Sequence, residues 1–293
     1  MTNSYSSLAT FEQCPYKYKL IYLDKHFIDS SSIATDFGTL VHSVEEKIGN
    51  YIKENKKINY DLLKNDFKIQ IEKLKNKYPK EFFTLDKSNR TYEDKANYYL
   101  NIAIYRLEKR LKKYSNLKII SLEKEFFVKF NKHLIHGFID RILYDKLTDT
   151  YIIEDIKTYS KPLTKKDLET SLQHVIYTLA LKVNGVNNII CDYDLPLCDI
   201  IQTVDTNYFK KGLDQLSDIF DNIKMSDFHP NPTPLCHWCI FSETYVDQPE
   251  EAKGLCPYCL LWTKETKSFK TKYKRINLTK HQNILEEYKK TLK

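Results

Sequence analysis

The sequence predicts an α/β protein of the α+β kind, on three observations: a long N-terminal stretch of three- and four-residue apolar period, three β-rich runs parted by short turns, and a helix followed by two more β-rich runs. From Asp36 to about Tyr114 the period is helical. Phe37, Leu40, Val41, Val44 and Ile48 fall on one side, and two further lysine-rich amphipathic stretches follow. KIISLEKEFFVKF, LIHGFIDRILYD and DTYIIEDIKTY read as strands separated by the turn-like NKH and KLTD, forming an antiparallel meander. Lys165 to Val183 returns to helical period, with Leu168, Leu172, Val175, Ile176 and Leu179 on one side. NNIICDYDLP and CDIIQTVDT supply two more strands, in which Cys191 and Cys198 are expected as small core residues. Tyr208 to Ile223 forms a last helix before the proline-rich FHPNPTPLC ends regular structure.

A chain of 293 residues can bury a substantial core, here expected as one large domain with an appended segment. Apolar residues make up 42% and charged residues 29%, and no apolar run approaches the ~20 residues of a membrane span. MTNSYSSLATFEQCPYKYKL has no signal-peptide pattern, so a cytoplasmic protein without membrane partners is expected. The net charge of +7 is concentrated at one end: residues 261–293 carry ten Lys/Arg against three Glu. In KETKSFKTKYKR, Lys270, Lys272, Lys274 and Arg275 alternate with Phe269 and Tyr273, which suits phosphate contacts with base or sugar stacking, although a solvated tail has the same composition.

GFIDRILYDKLTDTYIIEDIKTYSK, residues 137–161, places ionisable groups among β-branched and aromatic neighbours, a costly arrangement unless the charges are paired or bound to metal. Asp155 and Lys157 are two apart in a strand and share a face, and Asp140 at the end of the neighbouring arm can converge with them. Two carboxylates at a strand rim can hold Mg²⁺ or Mn²⁺, with an ammonium to orient water or steady a phosphate. A bare DxK is more commonly an ordinary surface ion pair. In SLQHVIYTLAL, however, Gln173 and Tyr177 lie one helical turn apart on a face that can line the same rim, and GTLVHSVEEKI sets His42 and Glu46 at the same spacing.

Taken in order, SSLATFEQCPYKYKLIYL, GTLVHSVEEK, GFIDRI, IIEDIKTYS, SLQHVIYTLAL and PNPTPLCHWC resemble the PD-(D/E)XK nuclease superfamily, in the branch of the RecB and AddB nuclease domains and the CRISPR-adaptation exonucleases. The resemblance implies a restriction-endonuclease-like core, a central mixed sheet flanked by helices. It implies His42, Asp140, Asp155 and the backbone carbonyl of Ile156 as ligands of Mg²⁺ or Mn²⁺, with Lys157 placing the attacking water. Gln173 and Tyr177 match the family's QxxxY motif, which supports the site and contacts DNA. The expected organisation is a nuclease domain over residues 1–235 with a helical insertion at about 50–115, a cysteine-rich segment over 236–260 joined to Cys14, and a basic tail over 261–293.

Seven cysteines without an export signal point to metal or redox work rather than disulfides. Cys236-x₂-Cys239-x₁₆-Cys256-x₂-Cys259 has the spacing of a four-thiolate Zn²⁺ site. The family resemblance implies instead a [4Fe-4S] cluster on one early and three late cysteines, with Cys14 matching the early position and Cys236 and Cys239 the next two. Here Cys256 follows only after the insertion IFSETYVDQPEEAKGL. The two sites cannot share three thiolates, and the surroundings of Cys14 favour the cluster.

The expected function is a metal-dependent DNA exonuclease acting on single-stranded or free-ended DNA, in recombination, replication or DNA degradation. The alternative is a nuclease-fold DNA-binding module without catalysis and with a structural zinc site. No GxxxxGK[ST] phosphate loop is present, so unwinding would need a helicase or recombination partner. A redox enzyme would lack any GxGxxG fingerprint.

Overall fold

In the computed structural model, which describes residues 2–28, 31–231, 233–241, 249–253 and 255–256, the chain divides into two units, Met1–His229 and Pro230–Lys293. The first opens with β1 (Thr2–Asn3), α1 (Tyr5–Gln13) and α2 (Pro15–Tyr18), and continues through α3 (Ile33–Lys53), α4 (Tyr60–Lys77), α5 (Tyr92–Asn101) and α6 (Arg106–Lys113). Side-chain caps fix where several of these helices begin. Ser4 and Thr91 close capping boxes on α1 and α5, Ser32 accepts from the Thr35 N–H at the start of α3, and Asn59 accepts from the Leu62 N–H at the start of α4. The predicted helical layer is interrupted between α4 and α5. There Asp86 accepts from the backbone N–H groups of Ser88 and Arg90 and pairs with the buried Lys95 at 2.8 Å.

The strands β2 (Leu117–Phe130), β3 (His133–Asp145) and β4 (Thr150–Ile156) form the predicted antiparallel meander. After α7 (Lys165–Glu169) and α8 (Leu172–Lys182), β5 (Ile189–Leu195) pairs parallel to β4, as a helical crossover permits, and β6 (Ile200–Thr203) pairs antiparallel to β5. With β1 parallel to β3, the described strands make one six-stranded mixed sheet, and α9 (Tyr208–Met225) follows it.

Two expectations need correction. Lys165–Val183 is not one helix: Thr170 and Ser171 break it, because the Ser171 hydroxyl caps the N-terminus of α8. Cys198 lies in the turn between β5 and β6 rather than in a strand, half-buried, its thiol donating to the Tyr159 carbonyl at 3.2 Å. Pro196 cannot extend the ladder, and Asp199 turns the chain with φ 55°. Cys191 is a buried core residue, as expected.

The sheet is packed on both faces. Ile142 and Ile153 belong to one apolar cluster, with Leu8, Ile135, Ile139, Val175, Ile176, Leu216 and Phe220. Their chain neighbours Leu143 and Ile152 join the other, with Phe37, Val41, Val44, Ile48, Phe67 and Tyr99. This is the alternation that a strand with two covered faces requires. Among the described residues no helix is long and apolar enough to cross a membrane.

In the second unit Pro234–Trp238 forms a 3₁₀ turn capped by Thr233, and the Cys239 N–H donates to the Cys236 carbonyl at 3.1 Å.

Candidate active site

The apolar stripe of α3 is buried, and His42 stands at its flank with its Nδ1 3.6 Å from Asp140 Oδ2. Glu46, one turn further along α3, is half-buried. On the sheet, β3 and β4 pair from Asp145↔Thr150 to Arg141↔Glu154, so Asp140 is the next position and faces Asp155. The sequence reading put Asp140 at the end of its arm. Instead β3 continues to His133, held by β2 along its whole length, and it is β4 that stops.

Asp140 Oδ2 accepts from the Ile156 N–H at 2.6 Å. Burial, reinforced by the charge of Asp155, pushes the Asp140 carboxyl up to about 6. Asp155 is only 1% exposed, so the DxK is no surface ion pair. Its Oδ1 accepts from Gln173 Nε2 at 2.8 Å. Its Oδ2 forms an ion pair with Lys157 Nζ at 2.6 Å. Burial acts to lower the pKa of Lys157, but the Asp155 carboxylate outweighs it, and the ammonium ends above its ordinary value.

Gln173 joins the parts. Its Nε2 also contacts the Tyr177 hydroxyl at 2.7 Å, and its Oε1 accepts from Lys157 Nζ at 3.4 Å. Behind it, His174 is held by Ser171 Oγ at 2.8 Å and faces the Asp192 carbonyl at 3.3 Å, and burial pushes its imidazole down to about 4. The ring thus ties the first turn of α8, which bears Gln173, to β5. Gly137 has a related purpose. A Cβ there would stand 2.8 Å from the Phe126 ring, which lies across β3 and meets Tyr177 edge to face at 5.8 Å.

The sequence reading missed Glu123. It stands on β2 between the pairs Leu122↔Arg141 and Lys124↔Ile139, directly across from Asp140, with φ 41°. That left-handed backbone is uncommon for a glutamate. Ligand atoms of His42, Glu123 and Asp140 lie within 4.8 Å of one another. Nothing in LEKEFF distinguishes Glu123 from Glu125 except its position opposite Asp140, which needs the strand register. A donor set of an imidazole and carboxylates fits a hard divalent cation.

Beneath the site, the residues adjacent to Asp140 and Asp155 face the other way. Arg141, fully buried, donates through Nε to Glu154 at 2.5 Å, reaches Asp194, and lies 3.5 Å from Glu45 of α3. Arg110 pairs with Glu154, Arg106 bridges Asp194 and Asp199, and Tyr99 donates to Glu45 at 2.9 Å. Burial acts to raise Asp194, but Arg141 and Arg106 hold it below the usual carboxylate range. This ion cluster ties α3, α6, β3, β4 and β5 together under the carboxylates.

Cys14 caps α2, its Sγ accepting from the Lys17 N–H at 3.5 Å, and Cys236 Sγ accepts from the Thr233 N–H at 3.4 Å in the second unit, where Cys256 is buried. Cys259, Lys270, Lys272, Lys274 and Arg275 lie outside the described residues.

The family model of the PD-(D/E)XK nuclease superfamily matches residues 2–244, so the chain belongs to that superfamily. No curated protein matches it. Among solved structures, a candidate exonuclease from Eubacterium rectale is similar over 95% of this chain and 92% of that one, at 14% identity and a TM-score of 0.44. The protein SSO0001 is similar over 80% of this chain and 95% of that one, at 15% identity and a TM-score of 0.29.

Proposed function

We propose that this protein is a divalent-metal-dependent deoxyribonuclease that hydrolyses phosphodiester bonds at DNA ends. The observation that carries the proposal is the His42, Glu123 and Asp140 group, whose ligand atoms lie within 4.8 Å of one another, with the buried Asp155 across the strands from Asp140. His42, Asp140, Asp155 and the Ile156 carbonyl would hold Mg²⁺ or Mn²⁺, joined by Glu123. The bound ion would polarise the scissile phosphate and offset charge on the leaving oxygen. Lys157, whose ammonium lies beside Asp155 Oδ2 and Gln173 Oε1, would orient the attacking water or the phosphate. Gln173 fixes both partners of that pair, and Tyr177 fixes Gln173.

The direct test is release of label from end-labelled DNA with Mg²⁺ or Mn²⁺. Cleavage that stops on chelation is the expected result. A folded, metal-loaded protein that binds DNA and leaves it intact would overturn the enzyme reading in favour of a binding module. Glu123→Gln is expected to weaken Mn²⁺ binding about 10-fold in isothermal titration calorimetry, with Glu125→Gln unchanged; equal affinity in all three proteins would remove Glu123 from the ligand set.

The cysteine motif is read from the sequence alone as ligating a [4Fe-4S] cluster through Cys14, Cys236, Cys239 and Cys256, with Zn²⁺ on Cys259 in place of Cys14 as the alternative. Visible absorption of anaerobically prepared protein decides between them. A role in recombination, replication or DNA degradation, with a separate helicase, fits a nuclease whose sequence carries no phosphate loop.

A further inference from the structure

The hairpin of β2 and β3 runs on past the end of β4. β4 reaches β3 only as far as Arg141, whereas β2 stays paired with it to Phe130↔His133, and β1 touches the far edge at Leu134 and Ile135 alone. One face of this extension is core, with Phe126, Val128, Ile135 and Ile139 buried. The other is apolar yet open: Phe127 is 58% exposed, Phe138 47% and Leu134 39%. These are not scattered residues. The Phe127 ring stacks on His136 at 4.4 Å and 14°, His136 meets Phe138 at 5.3 Å, and Glu125 holds the imidazole at 2.9 Å. Lys129, paired with Leu134 on the same face, and Lys132 in the adjoining turn are both exposed and border the row. Phe138 is two residues from Asp140, and Glu125 two from Glu123.

We propose that the Phe127, His136 and Phe138 row is a stacking platform for single-stranded nucleic acid, which it leads toward the carboxylates. Stacking on an aromatic side chain favours a base whatever its identity, and lysines beside it neutralise phosphate. Duplex DNA cannot use such a row, because its base faces are already stacked on one another; only an unpaired strand presents them. The lysines at its rim favour a polyanion over a folded protein partner. The inference rests on the nuclease reading for the direction in which the strand runs, while the binding stands on its own.

The test is fluorescence anisotropy of a fluorescein-labelled oligothymidylate of about 20 nucleotides, in EDTA so that nothing is cut, with a blunt duplex alongside. Phe127→Ala with Phe138→Ala is expected to weaken single-strand binding at least 10-fold and leave the duplex unchanged. Phe127→Trp with Phe138→Trp is expected to restore wild-type affinity. Both sites are exposed, and an unchanged melting temperature checks that each variant is folded. Unaltered affinity in the alanine variant, or failure of tryptophan to rescue, would overturn the platform. So would loss of self-association in sedimentation without loss of DNA binding, which would make the row a contact with a second copy. Cleavage of the same oligonucleotide by wild type in Mg²⁺ is read separately, so the platform and the nuclease reading can fail independently.

Discussion

Lys157→Ala is expected to lower metal-dependent DNA hydrolysis by about 10³-fold while the protein remains folded. Lys157 is a partly exposed side chain at the end of β4, and its backbone N–H to the Asp194 carbonyl, at 2.9 Å, survives the substitution. What the variant loses is the ammonium beside Asp155 Oδ2 and the donor aimed at Gln173. DNA binding should be nearly unchanged, since one cation among many phosphate contacts is removed. Rates within 10-fold of wild type at saturating Mg²⁺ would take Lys157 out of the mechanism. An arginine in its place keeps the charge but not the compact head, and is expected to recover little activity.

The second large effect lies under the site. Arg141→Met should destabilise the protein by about 3–5 kcal/mol, because it leaves buried carboxylates without their central partner. Arg106 and Arg110 remain on Asp194 and Glu154, so the loss is partial and the fold should persist. The pH dependence has a definite sign. Asp194 is held low in the native protein and contributes stability above the ordinary carboxylate pKa; without Arg141 its pKa rises, and the folded variant takes up protons that the unfolded chain does not. The gap between wild type and variant should therefore narrow as pH falls from 7 toward 4, read from urea midpoints. A gap that widens in acid, or that is absent at pH 7, would show that Arg141 carries no such burden.

Much of this was legible in the sequence because it is periodic or local. The helical stripe of Phe37, Val41, Val44 and Ile48, the β-rich runs on either side of KLTD, and the spacing of Gln173 and Tyr177 each depend on residues a few positions apart. Asp140, Asp155, Lys157 and Gln173 could be brought together because strand alternation and one helical turn are fixed geometries. Glu123 could not, since its place depends on a register set by the whole length of β2 and on a left-handed backbone that no local pattern announces. The ion cluster around Arg141 escaped for a similar reason: Glu45, Arg106, Arg110, Glu154 and Asp194 come from four separate elements. Gly137 was visible as part of a motif, but its physical reason, the Phe126 ring lying across it, required the neighbouring strand.

The alternation of Asp140 with Arg141, and of Glu154 with Asp155, constrains how this gene can change. Under the proposed function Asp140 and Asp155 serve chemistry while Arg141 and Glu154 serve as foundation, and the two sets are interleaved one residue apart on the same two strands. Slipping either strand by a single position would exchange them, aiming a guanidinium at the substrate and leaving a stranded carboxylate among the arginines. Insertions and deletions should therefore be tolerated in the loops outside the meander and rejected within it. A substitution at either layer should be viable mainly with a compensating partner, so a deep mutational scan of residues 137–157 ought to show strong pairwise epistasis between the two strands.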